Sequence, residues 1–512
     1  MLFNSFEFIF LFLPITFFIF FFIGKRNHHR VAISWLILCS LFFYGWWDPA
    51  YLGLILFSML FNYSFGIMLS SDSNGIYKKT LLIIGVAVNL SLLGYFKYTN
   101  FLVDQINIVA GTEFNIERIV LPLAISFFTF QQIAYLVDAY RKETNEYNFL
   151  KYCLFVTFFP QLIAGPIVHH KEMLPQFDQD SIYKINNHYL ALGVTIFSIG
   201  LFKKVVLADN VAVYANLIFS AAENGEPLSF FEAWVGALAY TFQLYFDFSG
   251  YSDMAIGLAY MFGIKLPINF NSPYKATSII DFWRRWHITL SRFLRDYLYF
   301  TLGGNKMGLV RRYANLFITM LLGGIWHGAG WTFVFWGMLH GFYLMVNHAW
   351  RKFRSSVLKW GNHYSRAETL AAGLITFLAV VVGWVYFRAI NLEGANSMLY
   401  TMVGGNGISL LKSLENYPEL VSTIGASGYF TFEGIFPHYF AELEGSLLWI
   451  TVLAMISFLA PNSIEIIRKV EETLEHKIPA YYVYTFSLYV SVLFILGISS
   501  LMRVSEFLYF NF

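Results

Sequence analysis

His327 lies in Gly323-Gly324-Ile325-Trp326-His327-Gly328-Ala329-Gly330, within a run from Asn315 to Met345 that contains no Asp, Glu, Lys or Arg. An imidazole readily accepts and returns a proton near neutral pH. Ionisable groups at membrane depth are costly, and they usually line a pathway or a reaction site. Helix packing, with glycines only for close approach, would also explain the motif; depth and isolation from other charge favour a reactive role. A second histidine, His287, closes Asp281-Phe282-Trp283-Arg284-Arg285-Trp286-His287, with two tryptophans beside it. Other polar groups in apolar surroundings are Gln131-Gln132, Gln243, Asp247 and Asp253. Gln131 reads first as a helix–helix contact and second as a tunnel-lining amide. Asp247 and Asp253 read either as caps at a break near Gly250 or as groups that polarise an interior site.

The elements that carry these residues follow from length and pattern. As one helix, Asn315 to Met345 would extend roughly 46 Å at 1.5 Å per residue, against a hydrocarbon core of about 30 Å. It should break at the glycines around His327, since glycine is a weak helix former. Arg311-Arg312 precede the run, and Arg351-Lys352 and Arg354 follow it. Basic flanks face the cytoplasm, so the stretch reads as a hairpin with His327 near its tip. From Asp281 onward, a step of about 100° per residue places Asp281, Arg284, Arg285, Arg292, Arg295 and Asp296 in one sector roughly 120° wide. Only Ile288 interrupts it. That pattern predicts one amphipathic helix at the cytoplasmic interface, with His287 at the margin between its faces.

The chain around these stretches is a membrane protein. Of its 512 residues 57% are hydrophobic and 13% charged, against about 25% charged in soluble domains. A net charge of +2 gives no reason to expect nucleic acid. Cys39 and Cys153 both sit in apolar stretches, which argues against a disulfide framework, and no metal-ligand spacing is visible. Phe8 to Ile23 reads as a first span rather than a cleaved signal. Lys97 to Arg118 reads as an interfacial segment, and Phe149 to Val168 as a helix broken by Pro160 and Gly165-Pro166. Asn391 to Gly445 holds six Glu against one Lys, which fits the non-cytoplasmic side. The last two spans, Ser446 to Ala460 and Ala480 to Met502, are joined by a charged loop around Arg468-Lys469. The organisation expected is a membrane core over 1–390, an acidic extracytoplasmic insertion over 391–446 and terminal transmembrane helices over 447–512. The fold class is all-α and polytopic, with about a dozen transmembrane or re-entrant helices plus interfacial amphipathic ones.

Asp281-Phe-Trp-Arg-Arg-Trp-His287, followed by Leu-Gly-Gly-Ile-Trp-His327-Gly-Ala-Gly-Trp-Thr-Phe-Val-Phe-Trp-Gly, resembles the membrane-bound O-acyltransferase family. The similarity is to the bacterial branch that includes the alginate O-acetyltransferase membrane subunit. The opening Met-Leu-Phe-Asn-Ser-Phe-Glu-Phe, the run from Tyr245 to Asp253 and the closing Phe507-Leu-Tyr-Phe fit that branch too. The resemblance implies His327 as the essential residue and His287 as a second catalytic-site residue. It implies acyl transfer from a cytoplasmic thioester, acetyl-CoA, to hydroxyls of an exported or envelope polysaccharide, in the bacterial inner membrane. An extracytoplasmic acetyltransferase- or esterase-like protein would complete delivery. His327 would take the hydroxyl proton or briefly carry the acyl group. Trp326, Trp283, Asp281, Arg284 and Arg292 would face the donor, the arginines binding its phosphates. No metal is implied. The rival enzyme activity is D-alanyl transfer to teichoic acid. A non-catalytic transporter or assembly platform is the rival of another class; the chain shows none of the paired inverted halves common in transporters.

Overall fold

The computed structural model describes residues 1–71, 75–144, 148–359, 364–425, 428–475 and 480–501. The closing run 507–510 and Met502 lie outside the described residues. Most of the rest is helical; the strands among the described residues are Ile408–Ser409 and Phe430–Thr431, paired in parallel. Large apolar side chains such as Phe18, Leu38, Ile83 and Leu374 point outward and are more than half exposed. In water such a surface would drive aggregation; in a bilayer it is the lipid contact. Among the described residues four helices are long and apolar enough to cross a membrane: Tyr51–Ser70, Gly75–Ala110, Asn187–Glu223 and Arg366–Arg388. Ser446–Leu459 and Ser463–Glu472, bent by 47° to each other, pass the same test only as a pair, as a broken span or a re-entrant loop. Length and composition thus single out fewer spans than the sequence suggested. Several apolar runs are short, broken or carry buried charge.

The helix Phe230–Met261 is the axis of the bundle. Ser229 and Glu232 cap its first turn reciprocally, which satisfies two of the N–H groups left over at a buried helix start. It runs unbroken through Gly250, so the expected break there is absent. Gly250 serves close approach instead: a Cβ on it would lie 2.8 Å from the Gly200 carbonyl oxygen of the neighbouring helix. That neighbour, continuous from Asn187 to Glu223, is wound as a π-helix over Lys203–Ala208. Asp253 pairs with Lys203 at 2.8 Å, and Lys204 lies 2.6 Å from Asp247 and 2.8 Å from Asp209. The carboxylates therefore balance membrane-buried lysines.

The charge-free run breaks where the glycines predict, into Leu309–His327 and Trp331–Ser356. The two arms meet at Gly324 and Gly337; a Cβ on Gly324 would sit 2.4 Å from the Phe333 carbonyl oxygen. Phe149–Val168 is also broken as expected, into Phe149–Thr157 and Phe159–Leu162.

Three further expectations need correction. The amphipathic stretch is two helices, Ile279–Arg285 and Ile288–Phe293, followed by a π-helical turn to Tyr299. The bend falls at His287, whose φ of 41° is left-handed; the wheel drawn through it joined two separate faces. Lys97 lies not at an interface but buried within the Gly75–Ala110 helix. The Arg468-Lys469 connection is itself the helix Ser463–Glu475.

The acidic segment folds back on the bundle. Its helix Leu392–Met402 receives Trp234 Nε1 on the Met402 carbonyl at 2.9 Å. His438 donates its backbone N–H to Glu232 at 2.9 Å, and its ring nitrogen lies 2.9 Å from the same carboxylate.

Candidate active site

His327 is the last residue of its helix, and the following Gly328 is fully extended (φ −160°, ψ 153°). The ring is buried in an aromatic box, edge-on to Trp326 at 4.9 Å, Trp336 at 5.0 Å and Phe387 at 5.1 Å. Phe387 comes from the Arg366–Arg388 helix, so three helix segments frame the imidazole. Such walls exclude water and leave the ring little freedom to rotate.

His287 reaches the same region from the bend. The strand-like stretch before it holds the turn in place: Asn271 N–H donates to the Arg285 carbonyl and Ile288 N–H to the Asn269 carbonyl, both at 2.9 Å. The Asn269 side-chain oxygen accepts from Thr289 N–H at 3.3 Å and from Thr289 Oγ1 at 3.0 Å. A backbone N–H can only donate, so this atom is the amide oxygen. His287 Nδ1, 3.0 Å from it, must then carry the proton, which leaves Nε2 as the basic nitrogen. The neighbouring residue Trp286 packs on Trp384 at 4.8 Å, Trp384 on Phe387 at 5.4 Å, and Phe387 on His327 at 5.1 Å, so one aromatic layer links the two histidine positions.

The other expected residues divide. Trp326 belongs to the site; it stacks on Phe130 at 4.8 Å and borders His327. Trp283 stands one layer out, 5.8 Å from Trp336. Asp281 pairs with Arg285 at 3.0 Å, Arg284 is exposed, and Arg292 makes a bidentate pair with Glu172 at 2.6 and 2.9 Å. Gln131 is away from the histidines: its amide donates to the Phe155 carbonyl at 2.9 Å, as a helix contact would. Asp253 is likewise engaged elsewhere, by Lys203.

Three residues that the sequence reading passed over stand at the site. Asn269, with no side-chain exposure, sets the tautomer of His287; nothing in Ile268-Asn-Phe-Asn announces this. His340 is wholly buried against Trp336 at 4.8 Å and Trp283 at 5.2 Å. It lies in the same charge-free run as His327, and the rule that singled out one would have found both. Lys97 donates to the His327 carbonyl at 3.0 Å. Among the described residues no group of three or more His, Cys, Asp or Glu side chains is arranged to hold a metal ion.

The geometry offers an imidazole at a helix break, a second imidazole of defined tautomer and a dry aromatic surround. That set can move a proton and bind a flat carbonyl group away from water. The sequence model of the membrane-bound O-acyltransferase family matches residues 137–365. A peptidoglycan O-acetyltransferase of Helicobacter pylori is 45% identical over 90% of both chains. A probable alginate O-acetylase of Pseudomonas aeruginosa is 43% identical over 78% of this chain and 75% of its own. A teichoic acid D-alanyltransferase of Bacillus subtilis is 29% identical over 52% of this chain and 68% of its own.

Proposed function

The chain belongs to the membrane-bound O-acyltransferase family, and from that premise we propose that it transfers acetyl from cytoplasmic acetyl-CoA to hydroxyls of an envelope polysaccharide, with peptidoglycan favoured as the acceptor. The protein is a membrane O-acetyltransferase. The observation that carries the finer reading is the His327 imidazole at the break of a membrane hairpin, beside a histidine of fixed tautomer. Peptidoglycan is favoured over alginate because similarity to the peptidoglycan enzyme extends over 90% of each chain. Likeness to the D-alanyltransferase covers 52% of this chain, at lower identity, which disfavours that donor.

In the transfer the acceptor oxygen attacks the thioester carbonyl. A C–O bond forms and the C–S bond breaks. The hydroxyl proton passes to His327 and then to the departing thiolate, so the thiol leaves neutral. His287 Nε2 would be a second proton acceptor. The reaction runs in the cytoplasmic membrane of a bacterium.

The test is turnover by the purified full chain in nanodiscs. Acetyl-CoA should be consumed and acetyl should appear on a glycan acceptor, while a D-alanyl-charged carrier protein should be inert. No thioester consumption would leave a transporter or platform as the reading. The donor's phosphates would meet Arg284, which is exposed, more readily than Arg292, which Glu172 already engages. Arg284→Glu should raise the apparent KM for acetyl-CoA, more so at low salt because exposed charges are screened within about 10 Å at 0.1 M. An unchanged KM at both ionic strengths would remove the Ile279–Arg285 helix from the donor path.

The acidic segment would dock the extracytoplasmic partner. Deleting Gly404 to Gly434 removes both strands but spares the Trp234–Met402 and His438–Glu232 anchors. Cells with this deletion should lose acetylated polymer and the partner should no longer co-purify, while detergent-purified protein still consumes thioester. Survival of both polymer acetylation and co-purification would reduce the segment to a self-packed cap.

A further inference from the structure

A helix ends with carbonyls that have no N–H partner within it. In the Leu309–His327 helix the chain leaves as extended glycine, so the local turn that usually closes a C-terminus does not form. The last carbonyls are instead taken by side chains of a helix some 230 positions earlier in sequence. Lys97 Nζ donates to the carbonyls of Trp326 and His327, the latter at 3.0 Å, and to Ser126 Oγ at 3.4 Å. An ammonium has three N–H groups, and all three are accounted for. The next residue, Tyr98, donates its hydroxyl to the Ile325 carbonyl at 2.7 Å. Three successive carbonyls, 325 to 327, are thus gripped by two adjacent side chains.

The same helix also holds the far side of the break. Gln105 Oε1 accepts from Trp331 Nε1 at 2.9 Å, where the second arm of the hairpin begins. Seven residues separate Tyr98 from Gln105, about two helical turns, so both lie on one face. Lys97 is 8% exposed, and among the described residues no carboxylate acts on it. A buried cation without a carboxylate is expensive. Here it stands at the negative end of a helix, where the aligned peptide dipoles favour positive charge.

We propose that Lys97, with Tyr98, is a positioning residue for the reaction: it fixes the backbone that carries His327 and so aims the imidazole at the reacting atoms. The clamp replaces the C-terminal turn that the glycine break removes, and the break keeps the His327 ring clear of its own chain. The proposal rests on His327 being the base named above.

The experiment measures kcat and the KM for acetyl-CoA per folded protein in nanodiscs. Lys97→Met should lower kcat by about 10²-fold, the effect of a misplacement near 1 Å, with KM within about twofold. Lys97→Arg, which keeps charge and donors, should recover much of that loss. Tyr98→Phe deletes one hydrogen bond and should lower kcat by roughly fivefold, with the unfolding temperature within a few degrees of wild type. A purely structural lysine would reduce the yield of folded protein and leave kcat per folded molecule alone. Lys97→Met with kcat within about threefold of wild type overturns the proposal; if that variant does not fold, an unchanged kcat in Tyr98→Phe does so. The His327→Ala control separates the two failures. If it is dead while Lys97→Met stays active, only the clamp is lost; if it stays active, the base assignment itself fails.

Discussion

Alanine in place of His327 is expected to lower acetyl turnover by about 10²–10⁴-fold, the usual worth of general acid–base catalysis, while the protein still folds and inserts. The structure gives a reason to read that loss as chemical. Lys97 and Tyr98 hold the carbonyls of residues 325 to 327, not the imidazole, so the end of the helix stays anchored when the ring is removed. Alanine is also a better helix former than histidine, and the Gly324–Gly337 contact between the arms is untouched. The measurement is thioester consumption and acetyl transfer per folded protein. Retention of more than about a tenth of the wild-type rate would sink the base assignment, because the smallest expected effect is about 10²-fold.

The second large effect is expected on stability. Lys204 is 1% exposed and sits between Asp247, also 1% exposed, and Asp209. Lys204→Met takes this cation away from both carboxylates inside the membrane. Breaking a buried ion pair from one side typically costs about 3–5 kcal/mol, a large share of the ~5–15 kcal/mol that holds a folded domain together. Thermal unfolding in detergent should therefore shift sharply downward. Adding Asp247→Asn to the same chain should restore part of the loss, since it removes the deeper of the two anions. If Lys204→Met unfolds at the wild-type temperature, the ion cluster contributes nothing to the fold.

What the sequence made legible follows from how local each signal was. The hairpin break at residues 328 to 330 was readable because an uncharged run too long for the bilayer meets four glycines within a few positions. The Asp281–Asp296 pattern misled because a polar sector can continue by coincidence across a bend; Ile288, its one misfit, marks where the new helix starts. Gly250 misled for another reason. Glycine permits both a break and a close helix contact, and only the Gly200 carbonyl across from it decides which. Lys97 was visible as a cation in an apolar stretch, yet its carbonyl partners come from a helix end about 230 positions away. Asn269 and His287 likewise lie 18 positions apart and meet only through the fold. Residues that orient a site through tertiary contact leave no periodicity to read.

The left-handed backbone at His287 also limits what can replace it. Few residues accept a φ of 41°; asparagine, aspartate and histidine are several-fold enriched there, and β-branched side chains are genuine outliers. A library randomised at this codon would therefore be sorted first by backbone tolerance and only then by proton chemistry. Asparagine keeps the bend without the imidazole, and glycine keeps it without any side chain. Valine forfeits the bend itself, and with it the Asn269 contacts to His287 and Thr289. The backbone at this position thus restricts which residues can stand there before any chemistry is asked of them.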